Sequence, residues 1–177
     1  MYIKSLNEKN AQMKKNILIL VIVTATISIF SCKKKEKDEK IITEEITFTK
    51  EGELTLYSLK DSISTPITSI DIEIADNDYE RETGLMYRKT MEEKKGMLFI
   101  EDKLKPQSFY MRNTLIPLDI IFIDNLFKIV SFQKNAKPLD ETSLPSEKPA
   151  KYILEINAGL SDQWNLKVGD SISFKKI

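Results

Sequence analysis

The sequence predicts a mostly β domain: a compact antiparallel barrel or sandwich of about seven or eight short strands with two short helices. Three observations carry this expectation. Residues 67–75 (ITSIDIEIA) alternate strictly, with Asp71 and Glu73 between Ile70, Ile72 and Ile74, the pattern of a strand wet on one face. Residues 118–123 (LDIIFI) form a β-branched and aromatic run bounded by Pro117 and Asp124-Asn125, which reads as a buried strand. The remaining apolar runs are short and punctuated by turn residues, without the βαβ alternation of a parallel fold.

In chain order, residues 46–59 alternate imperfectly around Glu51-Gly52 and read as a hairpin or a ragged first strand. After the strand at 67–75, Asn77 and Glu80 stand at capping-box spacing and Gly84 sits where a helix C-terminus favours a left-handed residue, so a helix of about two turns is expected. Residues 96–100 and 107–112 read as two strands separated by a charged turn, 101–106, that contains Pro106. Pro117 lacks a backbone donor and places 113–117 in a bend at a strand end. Asp124-Asn125 turns into a strand over 127–132, and residues 136–150, with Pro138, Pro145 and Pro149, read as a loop. Residues 151–156 resume as a strand. Asn157 is the expected cap of a short helix over 158–165, and residues 171–174 form the last strand.

The first part of the chain gives a cell address. Lys14-Lys15 precede fourteen uncharged residues, 17–30, a run of roughly 21 Å as a helix against the ~30 Å of a bilayer core. A short apolar segment behind basic residues is a signal-peptide pattern. It ends in Ser31-Cys32 followed by Lys33, which is similar to a bacterial lipoprotein signal, with Cys32 the acylated residue; the alternative is a plain leader or a single-pass anchor. Residues 1–31 are thus expected to be the signal peptide, 32–45 a lipidated cysteine and charged tether, and 46–177 one domain. Several acyl chains on Cys32, palmitate among them, would anchor the protein to a membrane of the cell envelope with its domain outside the cytoplasm. Cys32 is the one cysteine, so no intrachain disulfide forms. Lys and Arg number 27, as do Asp and Glu, so nothing suggests a nucleic-acid partner.

The chain contains no histidine, which removes Ser-His-Asp catalysis, His-paired cysteines and His zinc sites. The residues that can hold a polar ligand are Arg112, Asn113, Thr114, Asp119 and Glu155, with Arg81 and Asn157 as neighbours: a guanidinium fork, amides, a hydroxyl and two acceptors. The same residues can instead satisfy strand ends, with Asp119 capping the 113–114 bend and Glu155 paired to Arg112 or Arg81. Asp119 and Glu155 also suggest a glycosidase pair. Met86, Met91, Met97 and Met111 lack tight spacing and read as core packing rather than a copper site, so no metal and no cofactor is expected.

Five ordered stretches carry a family resemblance: Glu82-Thr-Gly-Leu-Met-Tyr-Arg88, Gly96-Met-Leu-Phe99, Phe109-Tyr-Met-Arg-Asn-Thr114, Pro117-Leu-Asp-Ile-Ile-Phe-Ile-Asp124 and Leu154-Glu-Ile-Asn-Ala-Gly159. Across 67–174 the chain resembles the domain of unknown function family 192. The resemblance implies a small β-rich domain, often behind a secretion signal, and no activity. The function expected is that of a membrane-anchored, non-catalytic domain binding a small polar ligand or an envelope protein through 112–119 and the adjoining Pro-rich loop. The alternative is a carboxylate-based hydrolase of envelope polysaccharide.

Overall fold

A computed structural model describes residues 46–60 and 63–177. The expected leader and tether, 1–45, lie outside the described residues. The chain forms β1 (Gly52–Lys60), β2 (Ile63–Ala75), α1 (Asp78–Thr83), β3 (Lys95–Phe109), β4 (Leu118–Ile123), β5 (Ile129–Ala136), β6 (Leu144–Asn157), α2 (Leu160–Gln163) and β7 (Ser171–Lys176). The seven strands make one curled sheet in the order β5-β4-β6-β3-β2-β1-β7. Its two edges meet where Lys128 bridges Ser171 and Ile129 N donates to Asp170 O at 2.8 Å. The mostly β expectation holds, and so do both helix sites. Among the described residues no helix is long and apolar enough to cross a membrane.

Every neighbouring pair is antiparallel except β2 and β3, which run parallel with α1 in the crossover. The absence of a βαβ unit expected from the sequence is therefore corrected. α1 is only six residues long, too short to announce a crossover by periodicity. Asn77 caps it, its Oδ1 accepting from Glu80 N at 3.0 Å, and Gly84 ends it at φ 46°.

Two proline-rich stretches are strand where the sequence predicts turn or loop. β3 runs unbroken through 101–106, and β6 begins at Leu144, inside the expected 136–150 loop. The reason is their pairing. Pro106 lies opposite Pro149, so the two residues without an N–H face each other, and the ladder shifts register on either side. The 157–158 cap is also displaced: Asn157 closes β6, and α2 starts from Gly159.

Alternation divides the side chains between two cores. Leu54, Ile70, Ile72, Leu98, Ile121, Leu154, Ile156 and Ile172 fill the inside of the curl. Met97, Phe99, Met111, Leu118, Ile120, Phe122 and Ile153 form a second core on the outer face, against Leu85 and Ile116 from the connecting segments. β4 is buried along its whole length because it contributes to both. Phe109 stands edge-on to Phe99 at 5.2 Å and to Phe122 at 6.1 Å in the second core. β3 and β6 approach closely at Gly96, where a Cβ would lie 2.7 Å from the carbonyl oxygen of Glu155.

Asp119, on β4, ties three elements together. Its Oδ1 accepts from Asn135 N at 2.9 Å, and its Oδ2 accepts from Gly159 N at 3.1 Å and Ser161 N at 2.9 Å. It therefore caps α2 from a distance, in place of the local cap expected at Asn157. Asp119→Ala leaves three backbone donors without their acceptor and is expected to cost about 3–5 kcal/mol in urea unfolding, with Asp119→Asn losing less because one oxygen remains. A loss under about 1 kcal/mol for the alanine variant would contradict this role.

Candidate functional site

The site follows from which way Glu155 points. In the run Leu154-Glu155-Ile156 the two apolar neighbours enter the inner core, so Glu155 must project to the outer face. That face is the second core, and Glu155 is only 6% exposed there. Its side chain opens on a pocket of about 150 Å³ between α1, β3 and the segment after Phe109. Phe99, Phe109 and Tyr110 supply aromatic walls, Met86 and Gly84 close one side, and Thr114 and Gln107 supply polar atoms. Gln107 donates one Nε2 hydrogen to Ala150 O at 3.4 Å, which leaves its amide oxygen and its second N–H to offer. Gly84 is needed for closeness: its φ is positive, and a Cβ would meet Phe99 Cζ at 2.9 Å.

Burial pushes the Glu155 carboxyl up to about 8. Desolvation is the cause, because removing a charged carboxylate from water disfavours it and no cation offsets the loss. Arg81 lines the same pocket, but its guanidinium is held elsewhere: by Asp78 at 2.6 Å, Asp102 at 3.5 Å, and the carbonyls of Asp76 and Ile100 at 2.8 and 3.1 Å. At neutral pH Glu155 is therefore a carboxylic acid, able to donate one hydrogen bond and accept another.

Among the described residues seven non-glycine residues have positive φ, and three of them, Tyr87, Asn113 and Leu139 at 64°, 60° and 60°, adjoin or bond the segments that line the pocket without lining it themselves. They are cross-linked: Tyr87 N donates to Asn113 O at 2.8 Å, and Leu139 N to Thr114 O at 3.1 Å. Each such residue costs of the order of 1–3 kcal/mol and persists where surrounding structure over-determines it.

Of the seven residues predicted from the sequence, the pocket gathers Glu155, Thr114 and Arg81. Arg112 is exposed and outside it. Asn113 donates weakly from Nδ2 to Met86 Sδ at 3.9 Å and shapes the rim through its backbone. Asn157 donates to Met91 O at 2.8 Å and stabilises the chain before β3. Asp119 is fully buried among its three N–H donors, so it neither caps the 113–114 bend nor faces the pocket. Glu155 pairs with neither Arg112 nor Arg81. Gln107, Tyr110 and Gly84 were not foreseen; Met97, Met111 and Met91 pack in or against the second core. The signal for the site was Glu155 itself, one acid in the otherwise apolar run 153–156.

The model of domain of unknown function family 192, described as an uncharacterized ACR, matches residues 60–174. The chain belongs to this family. A crystal structure of a protein of unknown function from Novosphingobium aromaticivorans DSM 12444 is similar, with 35% identity, TM-score 0.62, and coverage of 68% of this chain and 83% of that one. A Sinorhizobium meliloti 1021 protein, proposed by its description to be a transcription regulator, matches at 30% identity and TM-score 0.65 over 73% of this chain and 98% of that one. Among curated proteins none matches the chain. Family 192 membership thus accounts for the fold and leaves the chemistry to the pocket.

A proton held by the native state to about pH 8 is released near 4.5 on unfolding. Between those values the unfolded chain binds fewer protons, so stability falls as pH rises, by about 1.4 kcal/mol per unit from this group. The contribution is fully present below pH 4.5 and fully lost above 8. Glu155→Gln, which mimics the neutral acid, is expected to remove that slope in urea unfolding at pH 5, 6, 7 and 8 and to be the more stable protein at pH 8. Parallel profiles for the two proteins would contradict the assignment.

Proposed function

We propose that this family 192 chain is a lipid-anchored domain of the bacterial cell envelope that binds, without catalysis, a small neutral polar ligand in the Glu155 pocket. The observation that carries the reading is a buried, un-ion-paired carboxyl lining a pocket about 150 Å³ in volume. A cavity of about that size holds one six-membered ring. A neutral carboxylic acid beside Gln107 and Thr114 suits hydroxyl or amide groups, and aromatic walls suit the apolar face of a ring. An anion would meet an acid at the floor and no free guanidinium, so neutral ligands are favoured over the carboxylate or phosphate that Arg112 would have suited.

The anchor is supported by the sequence alone, through the apolar run at 17–30 and Cys32 followed by lysines. Transcription regulation, as described for the Sinorhizobium protein, does not transfer: this chain has a formal net charge of zero and an export signal pattern. The hydrolase alternative loses its second acid, because Asp119 is bound by three backbone donors.

Calorimetric titration of the full chain in detergent with N-acetylglucosamine tests the pocket. The expected Kd is constant from pH 5 to 7 and rises about tenfold per unit above 8, as Glu155 ionises, whereas Glu155→Gln binds without that pH dependence. Failure of the sugar to bind, or equal binding of glucuronate, would overturn the neutral-ligand reading. For the anchor, Cys32→Ser is expected to move the protein from the membrane to the soluble fraction; unchanged membrane partition would contradict lipidation.

A further inference from the structure

Three connecting segments lie side by side at one end of the sheet. Tyr87 N donates to Asn113 O at 2.8 Å, Leu139 N to Thr114 O at 3.1 Å, and Met111 N to Asp140 O at 2.8 Å. Each segment exposes large apolar side chains: Tyr87 at 59%, Tyr110 and Leu115 at 44% and 42%, and Leu139 at 62%. Each also carries an exposed cation, Lys89, Arg112 and Lys137, and among the described residues none of the three forms a salt bridge. The acids on these segments are Asp140, which accepts from Thr142 N at 2.8 Å, and Glu141. Exposed hydrophobic residues scattered singly are ordinary, whereas several gathered on hydrogen-bonded segments mark an interaction surface. Tyr87 and Leu139 moreover hold left-handed backbone, at φ of 64° and 60°, where glycine meets no steric penalty.

Tyrosine and leucine beside lysine and arginine form the set that settles at the boundary between lipid headgroups and acyl chains: the apolar parts enter, and the cations reach anionic headgroups. Three cations face two acids here, so apolar burial supplies most of the attraction and charge adds to it. The opposite end of the sheet has exposed residues of the same types, Leu126 and Lys167 among them, so composition does not choose between the ends. The point where the chain enters the domain does. Ile46, the first described residue, lines a cleft with Tyr87 and Arg88 at the edge of this face. β1 then runs away from Gly52 to Lys60, and Leu59 N reaches Asp170 Oδ1 at the opposite end. Cys32 precedes Ile46 by fourteen residues, a reach of at most about 50 Å. An acyl group on Cys32 would hold this end toward the bilayer and make docking intramolecular, so that a face too weak to bind alone is occupied.

We propose that the face formed by Tyr87, Tyr110, Arg112, Leu115, Lys137 and Leu139 docks on the surface of an anionic phospholipid bilayer. The inference rests on the lipid anchor proposed above. Tyr110 also walls the Glu155 pocket, so docking sets the mouth of that pocket beside the headgroups.

Two exposed leucines tell the ends apart. Leu139 is bonded to Thr114 before β4, and Leu126 follows β4, so the length of that strand, about 20 Å, separates them. Full-length Leu139→Cys and Leu126→Cys proteins, each labelled with the fluorophore NBD, are reconstituted on vesicles of phosphatidylcholine with phosphatidylglycerol. Emission at position 139 is expected to move to shorter wavelength and to be quenched by nitroxide-labelled lipid, while emission at 126 stays as in water. Arg112→Glu with Lys137→Glu, both at exposed positions, is expected to cut the quenched fraction at 139 at least about threefold while flotation with the vesicles is unchanged. The parent chain, its cysteine acylated, should take up no label. A parent that labels marks failure of the anchor alone, and the comparison of positions 139 and 126 is then read in the Cys32→Ser background. Water-like emission at 139 with vesicles present, equal quenching at 126, or an undiminished signal in the double variant would overturn the proposal. So would a shift at 139 that needs no vesicles and grows with protein concentration, because a second copy of the chain would then be the occupant.

Discussion

Burial of both faces of one curled sheet is the constraint on which the rest of the protein depends. An antiparallel sheet ordinarily keeps one face wet, and polar residues there cost nothing. In this chain α1, the segment that follows it and the residues after β3 cover the outer face as well, with Leu85, Met111 and Ile116 completing a second core. Any acid on that face must then be satisfied, paired or neutral. Glu73 meets Arg88, and Glu155 takes up a proton. Glu155 lines a pocket and Glu73 a cleft where that cover is incomplete.

Asp119 and Glu155 show how environment divides residues of one chemical type. Both are carboxylic acids on adjacent strands of the same sheet, and both are buried. Asp119 receives three backbone N–H groups and thereby fixes the end of β5 and the start of α2. Glu155 receives none, so desolvation alone acts on it. The first is spent on architecture, and the second is left with an unused donor and acceptor facing a pocket. Beside that pocket Tyr87, Asn113 and Leu139 are held at positive φ by connecting segments that hydrogen-bond one another.

The fold was legible in the sequence where periodicity is strong. Alternation at Ile70, Ile72 and Ile74, the run 118–123 and the Asn77-to-Gly84 signals all correspond to observed elements. What was illegible depended on pairing between distant residues. Pro106 and Pro149 look like breakers one at a time and become tolerable in a strand only because they face each other across β3 and β6. The parallel β2–β3 pair was hidden because its crossover helix is a single short element. For the site, Arg112 and Asp119 drew attention by residue type, yet side-chain direction sends one to solvent and the other to backbone donors. Glu155 and Thr114 survive because alternation and the proline bend turn them to the covered face. Arg88 was visible only as part of a family-like stretch, since its partner Glu73 lies fifteen residues earlier on another element.

The protonation state of Glu155 is the centre of the account, and it can be observed without any ligand. A carbon-detected NMR titration of the Glu155 side-chain carboxyl in the full chain is expected to show its midpoint near pH 8, with the acid neutral at pH 7. A midpoint between about 4 and 5, the range of a solvated glutamate, would mean that water solvates this carboxyl and that the pocket does not present a neutral acid.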